Sequence, residues 1–209
     1  MSFDTDPRTR GYHHGNLREA MLQAALRLIA ERGPAGFTFA EVARMVGVSG
    51  AAPYRHFRDR SALMEEVARQ GFTIFANELN AAWDGGTPNP LAATLRTGRA
   101  YLAFARREPA FYAAMFGANG AEASPGDLEG ERAFAVIRRA ADALVRGHTG
   151  PNRPPPLMVA LHIWSLTHGI ASLFIGGPGG SARKLPMPAE DLLEAGLLIY
   201  VQSLNLPAG

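Results

Sequence analysis

The chain has 209 residues, 47% of them apolar, no cysteine and a formal net charge of +2. That is enough apolar material for one large domain, or a small domain followed by a medium one, and the lack of cysteine excludes disulfide scaffolds, thiolate-held zinc and thiol catalysis. Residues 1–60 carry nine Arg against six acids, whereas the remainder carries twelve Arg or Lys against thirteen, so the basic character sits where a small nucleic-acid-binding module on a near-neutral body would place it.

Residues 12–32 set Leu17, Met21, Ala24, Ala25, Leu28 and Ile29 on one face at spacings of three and four, which predicts an amphipathic first helix. Gly33 followed by Pro34 stops it. Thr38, three residues before Glu41, makes a capping-box pattern, and Phe37 and Val42 occupy the two hydrophobic-staple positions. A short second helix follows, ending near Met45. Gly47 supplies a tight turn, Val48 plugs the space between helices, and Ser49 is positioned to cap a third helix over 50–57. Pro53 lies four residues past that cap, barely inside the first turn that tolerates proline, so this helix is expected to be shifted, tightened or partly 3-10. A fourth helix over about 59–80 carries Leu63, Val67, Phe72 and Phe75.

Residues 84–90 read as a linker. Helical segments at 91–107 and 109–116 break at Glu108-Pro109. An amphipathic helix follows over 127–146, then a strongly apolar one over 157–175 and a last apolar one over 189–204, separated by Gly- and Pro-rich loops. No strand and no internal repeat is visible. The predicted fold is all-α with about nine helices: an N-terminal three-helix head and a larger helical body. The first residues hold no apolar signal-like segment, and no run of roughly 18 to 20 unbroken apolar residues occurs, so a cytoplasmic protein without a membrane span is expected.

Helices two and three, turned at Gly47, form a helix-turn-helix with the first helix. Such a head lays its third helix in the major groove of double-stranded DNA. Tyr54, Arg55, His56, Arg58 and Arg60 put five polar or cationic donors within seven residues, a composition suited to phosphate oxygens. Gly50, Ala51 and Ala52 let the backbone come close to base edges, where an alanine reads only a thymine methyl. The same cap-and-turn pattern also occurs in helical bundles that never touch DNA, and Tyr54 and Phe57 would equally serve as core aromatics.

Residues 37–43 (Phe-Thr-Phe-Ala-Glu-Val-Ala) and 47–63 (Gly-Val-Ser-Gly-Ala-Ala-Pro-Tyr-Arg-His-Phe-Arg-Asp-Arg-Ser-Ala-Leu) resemble the DNA-binding domain of the tetracycline-repressor (TetR) family. The resemblance extends over about 11–75. It implies DNA contacts at Gly50, Ala51, Tyr54, His56 and Arg60, a ligand pocket in the later helices, and a four-helix dimer interface from the last two. Pro53 departs from the family pattern, which has Leu, Ile or Val there. With neighbouring polar and cationic positions added, the candidate DNA-binding set is Thr38, Arg44, Ser49, Gly50, Ala51, Ala52, Tyr54, Arg55, His56 and Arg60. Arg8, Arg10, His13 and His14 form an arm that would reach phosphates or the minor groove. Two adjacent histidines without further ligands make no metal site, and no metal, cofactor or catalytic residue is expected.

Tyr12–Arg18 and the string Trp164-x-x-x-His168-Gly169 are similar to one subgroup of that family. Trp164 and His168 share a helix face and either pack the core or line a pocket. The wider candidate effector set is Phe72, Phe75, Tyr101, Phe104, Tyr112, Met115, Phe116, Trp164 and His168, whose apolar and aromatic character implies a small, largely apolar effector. The resemblance thus implies a repressor: residues 1–60 bind DNA, the fourth helix connects, and residues 61–209 bind effector and dimerise. The dimer would form through about 157–175 and 189–204, and a two-fold protein matches a palindromic operator. Two rival readings stay open. One is an enzyme, though no Ser/His/Asp spacing or phosphate-binding fingerprint is visible and the Gly-rich 176–180 stretch lacks the Lys-Ser/Thr of a phosphate loop. The other is a helical interaction module with a vestigial head.

Overall fold

The computed structural model describes residues 17–117, 128–146, 153–175 and 186–204. The expected N-terminal arm, residues 12–16 of the expected first helix, and most of the stretches 117–125, 147–156 and 176–188 that were expected to be loops therefore lie outside the described residues. Within them the fold is all-helical, as expected. Helix α1 spans Leu17–Arg32, α2 Phe39–Met45, α3 Arg60–Trp83, α4 Pro90–Arg107, α5 Pro109–Phe116, α6 Leu128–Val145, α7 Pro156–Ile170 and α8 Ala189–Ser203. The expected third helix is instead a single 3-10 turn, Ala52–Arg55. This turn accounts for eight α-helices where about nine were expected.

Local chemistry sets the boundaries. The Gly33 N–H closes the last turn of α1 on the Ile29 carbonyl at 2.8 Å. The capping box forms in full: the Glu41 N–H donates to the Thr38 hydroxyl at 3.2 Å, and the Thr38 N–H donates to the Glu41 carboxylate at 2.8 Å. Gly47 turns the chain at φ +72°, left-handed backbone that favours glycine. Asp59 caps α3 by accepting from the Ala62 N–H at 2.9 Å, and Asn89 caps α4 in the same way from Ala92.

The long α3 is the axis of the molecule. It packs on α1 at its head end and on α4, α5 and α6 along its body, and α7 and α8 close the far side. Its buried stripe contains Leu63, Val67, Phe72, Phe75 and Leu79, the helical spacing that puts one face against the core. Gly71 permits the approach of α5, because a Cβ there would stand 2.7 Å from the Met115 sulfur. Helix α1 also packs directly on α5, so head and body share more than the α3 axis. The α4–α8 contact is laced by Arg99–Glu194 and by Arg106–Glu190 at 2.8 Å.

A π-helical turn, Ala171–Ile175, continues α7. Together they make one 20-residue helix, Pro156–Ile175, long and apolar enough to cross a membrane by length and composition. It holds no long unbroken apolar run, because His162, Ser165, Thr167 and His168 interrupt the stretch. About a third of its most apolar window is buried in the chain, against α4, α6 and α8. Leu157, Met158 and Leu161 remain exposed on it, as does Ile199 on α8, at 67%.

Candidate functional site

The head presents one edge made of the turn after α2. Pro53 is buried and Phe57 is buried, whereas Ser49, Gly50, Ala51, Tyr54, Arg55 and His56 are exposed and Ala52 is half-buried. Pro53 explains the geometry. It has no N–H to close an α-turn. The Ala52 N–H bonds the Ser49 carbonyl at 3.1 Å, and the Pro53 carbonyl accepts from His56 at 2.9 Å and Phe57 at 3.0 Å. The buried proline ring takes the inward position, and the segment tightens into 3-10 geometry, as Pro53 led one to expect. Ser49 does not cap it: Ala51 stands at the cap position without a side-chain bond, and Ser49 contributes only its backbone carbonyl.

Several contacts hold this edge in place. The Tyr54 ring stands edge-on to Phe39 at 5.2 Å and is 61% exposed. The Arg18 guanidinium lies 5.2 Å from the Phe57 ring centroid and bonds Glu66 on α3 at 3.0 Å. The Arg69 side chain bonds the same carboxylate at 2.6 Å and Gln70 at 3.1 Å. These bonds, led by Arg69, hold the Glu66 carboxyl at about 2, well below its usual range.

Arg60 does not join the exposed edge. Its guanidinium donates to the carbonyls of Phe37, at 3.1 Å, and Pro34, and covers the Phe37 ring at 4.7 Å. It therefore ties the start of α3 to the loop before α2. The Thr38 hydroxyl is engaged in the capping box. Arg58 pairs with Asp59 at 2.9 Å. Among the described residues Arg44 and Arg55 are exposed cations without an acidic partner. Around the turn after α2 the head thus offers the guanidinium groups of Arg44 and Arg55, a phenol, an imidazole and a backbone edge unobstructed at Gly50, where an added Cβ would meet nothing within 4 Å.

The body contains two clefts between helices. One, of about 280 Å³, is bordered by Leu79 of α3, Thr94, Thr97, Gly98 and Tyr101 of α4, Ile137 and Ala140 of α6, and Ile163 and Thr167 of α7. The other, of about 260 Å³, is bordered by Phe72 and Phe75 of α3, Phe116 of α5, Gly130, Ala133, Phe134 and Ile137 of α6, and Trp164 of α7. Both volumes include space open to solvent; the room enclosed is about 10 Å³ in the first and about 40 Å³ in the second, enough for one or a few waters, so a drug-sized ligand requires the helices to part. The threonine hydroxyls donate to carbonyls of their own helices at 2.7–2.8 Å, so their methyl groups are what remains to line the first cleft.

Five of the nine expected effector residues border these clefts: Phe72, Phe75, Tyr101, Phe116 and Trp164. Phe104 and Met115 do not. Phe104 is fully buried, its ring 4.9 Å from Phe75, and Met115 fills the contact over Gly71. Tyr112 and His168 lie beside the clefts in a polar group. The Tyr101 and Tyr112 hydroxyls stand 2.8 and 3.0 Å from His168 Nδ1, and Ser172 Oγ lies 3.3 Å from Nε2. Burial pushes the imidazole toward its neutral form and both phenols upward. Sequence reasoning missed the α6 wall and the small residues of α4. The 3–4 spacing of Ala133, Ile137 and Ala140 is the signal that would have found the first.

Residues 21–67 match the family described as bacterial regulatory proteins, tetR family, and residues 94–198 match the one described as tetracyclin repressor-like, C-terminal domain. Over 50 residues the chain is 38% identical to the HTH-type transcriptional regulator AcrR of Shigella flexneri, a match covering 24% of this chain and 23% of that one. A Rhodococcus sp. RHA1 protein of unknown function is similar over 93% of this chain and 98% of its own, with 28% identity and a TM-score of 0.74. AibR, solved in complex with isovaleryl coenzyme A and operator DNA, shares the fold over 88% of this chain and 97% of its own, at 17% identity and a TM-score of 0.65.

Proposed function

Because the chain belongs to the tetracycline-repressor family of bacterial transcriptional regulators, we propose that it is a repressor: a homodimer that binds a palindromic operator in the cytoplasm and is released by a small, largely apolar effector. Residues 1–60 serve as the DNA-binding unit, α3 as the connector and residues 61–209 as the effector-binding and dimerising unit. The observation that carries this is the exposed edge at Ser49–His56, flanked by the unpaired Arg44 and Arg55 and anchored from behind by Pro53, Phe57 and Arg60. Arg44, Arg55 and Tyr54 contact phosphates, and Gly50 and Ala51 bring the backbone to base edges. Thr38, Ser49, Ala52 and His56 flank that contact. Arg60 acts indirectly, by fixing the turn.

Dimerisation is supported by the exposed apolar side chains of α7 and α8 and by the Tyr200 hydroxyl, which is buried without a hydrogen-bond partner among the described residues, beside a stacked His162 ring at 5.0 Å. A second copy would cover the first and supply an acceptor for the second. Release follows from differential affinity. An effector that favours a state with wrongly spaced heads by 1.4 kcal/mol weakens operator binding tenfold. Helix α3 is the lever, since Phe72, Phe75 and Leu79 border the clefts and its first residue ties down the head. The AibR complex, which holds both a ligand and operator DNA, supports the same pairing of functions here.

The test is operator affinity as a function of salt, measured by fluorescence anisotropy on DNA from the region upstream of the chain's own coding sequence. Raising salt from 50 to 200 mM is expected to weaken binding at least a hundredfold, as phosphate-dominated complexes do. A salt-independent or absent interaction would leave a helical interaction module as the better description.

A further inference from the structure

With only about 10 and 40 Å³ enclosed in the two clefts, the body is shut to anything larger than a few waters. Beside both clefts, where α4, α5 and α7 converge, lies a circuit of polar side chains. The Trp164 indole N–H donates to the Tyr101 hydroxyl. The Tyr101 and Tyr112 hydroxyls stand 2.8 and 3.0 Å from His168 Nδ1, and Ser172 Oγ lies 3.3 Å from Nε2 and 3.4 Å from the Tyr112 hydroxyl. With the imidazole proton on Nε2, Tyr101 donates to Nδ1, Tyr112 to Ser172 and Nε2 to Ser172, so every proton has an acceptor. Burial holds the His168 ring toward its neutral form, so the circuit carries no charge.

Among the described residues these bonds tie α7 to α4 and α5. Tyr101 and Tyr112 are 2% and 6% exposed. If α7 moves away from them, the phenols and the imidazole lose their partners in apolar surroundings, which makes opening costly. The circuit also sits where α7 passes into the π turn Ala171–Ile175, a geometry often found at functional sites. One feature sets its strength: two phenols address one nitrogen. Either can supply the proton that Nδ1 accepts, so each can stand in for the other.

We propose that Tyr101, Tyr112 and His168 form a latch that holds α7 against α4 and α5, keeps the ligand space shut when no ligand is bound, and yields when an apolar molecule enters between the helices. This rests on the reading of the body as the effector site.

The test uses the full chain and N-phenyl-1-naphthylamine, a neutral apolar dye that fluoresces on leaving water. Affinity scales with the fraction of molecules whose body is open, so loosening the latch tightens dye binding. In Tyr101→Phe or Tyr112→Phe alone the gain is expected to be about threefold, since the other phenol still reaches Nδ1. In the double variant it should be about twentyfold or more, well above the product of the two. Val159→Ala, buried on α7 but bordering neither cleft and outside the polar group, should bind dye within about twofold of the unaltered chain, because it does not bear on the latch. Circular dichroism checks that each variant keeps its helix content. Equal dye affinity in the double variant and the unaltered chain overturns the latch and leaves the effector site in place. So does a double-variant gain no larger than the product of the singles, or an equal gain in Val159→Ala, which would mark general loosening. Single variants that gain nothing overturn it even if the double variant does not fold. If no chain binds the dye up to its solubility limit, the effector-site reading falls as well, and the latch with it.

Discussion

In the head, Pro53 and Phe57 turn inward while Tyr54, Arg55 and His56 turn outward, so the working surface is what packing leaves outside. In the body the working space is what packing leaves unfilled between α3, α4, α6 and α7, and its lining residues are also structural ones: Phe75 borders a cleft and is 2% exposed. The contrast has a consequence for mutation. Head residues proposed to contact DNA are separable from the residues that hold the head together. Body residues proposed to contact a ligand are not.

The strongest way to break that contrast is Phe75→Ala. Its ring packs on Tyr101 at 4.8 Å, Phe104 at 4.9 Å and Phe116 at 6.3 Å. Truncation should cost about 3–5 kcal/mol of stability and lower Tm by about 10 °C, as well as enlarging a cleft. Thermal denaturation followed by circular dichroism measures it. A loss under about 1 kcal/mol would mean that the body relaxes freely around its ligand space, and the contrast with the head would fail.

The second effect lies at the joint between the two regions. Glu66 holds Arg69, Arg18 and Gln70, and its carboxyl sits near 2 where 4.5 is ordinary. A depressed carboxylate adds stability that is fully present above about 4.5 and is lost as pH falls toward 2. The loss across that window should be on the order of 2 kcal/mol, read from urea midpoints at successive pH values. Glu66→Gln should lower stability at pH 7 and flatten that part of the profile. An unchanged slope would show that Arg18 and Arg69 do not depend on this carboxylate.

The fold was readable because helix boundaries are short-range events. Thr38 with Glu41, Gly47, Asp59 and Pro109 each mark an end by local geometry, and the 3–4 spacing of α1 and α3 marks the buried face. The Pro53 distortion was readable for the same reason, since a missing N–H acts within one turn. Arg60 misled because cationic composition does not show where a long side chain bonds. Its two carbonyl acceptors, Phe37 and Pro34, are more than twenty residues away. The clefts were only half legible. Aromatic residues such as Phe104 and Phe116 look alike in sequence, and which of them borders a void depends on how four helices fit together. That is a property of volume, to which small residues such as Gly98 and Gly130 contribute as much as large ones.

Arg55→Ala sharpens the contrast from the head side. The guanidinium is exposed and has no acid partner among the described residues, so its removal should change stability by less than about 0.5 kcal/mol. Operator affinity should fall about tenfold, and the slope of log affinity against log salt should drop by about one per head if the contact is to phosphate. A large loss of stability would instead make Arg55 part of the fold.

The smallest effect is the most discriminating. Tyr54→Phe keeps the ring edge-on to Phe39 and removes only the hydroxyl, so folding should be untouched. A single neutral hydrogen bond to a phosphate or sugar oxygen is worth about 1 kcal/mol or less, so operator affinity should fall roughly threefold to fivefold, with the salt slope unchanged because no charge is lost. Tyr54→Ala removes the ring as well and frees Phe39. If the two variants bind alike, the phenol oxygen carries the contact. If Tyr54→Phe binds like the unaltered chain while Tyr54→Ala does not, the ring serves to brace the 3-10 turn, and Tyr54 belongs with Arg60 among the residues that position the edge.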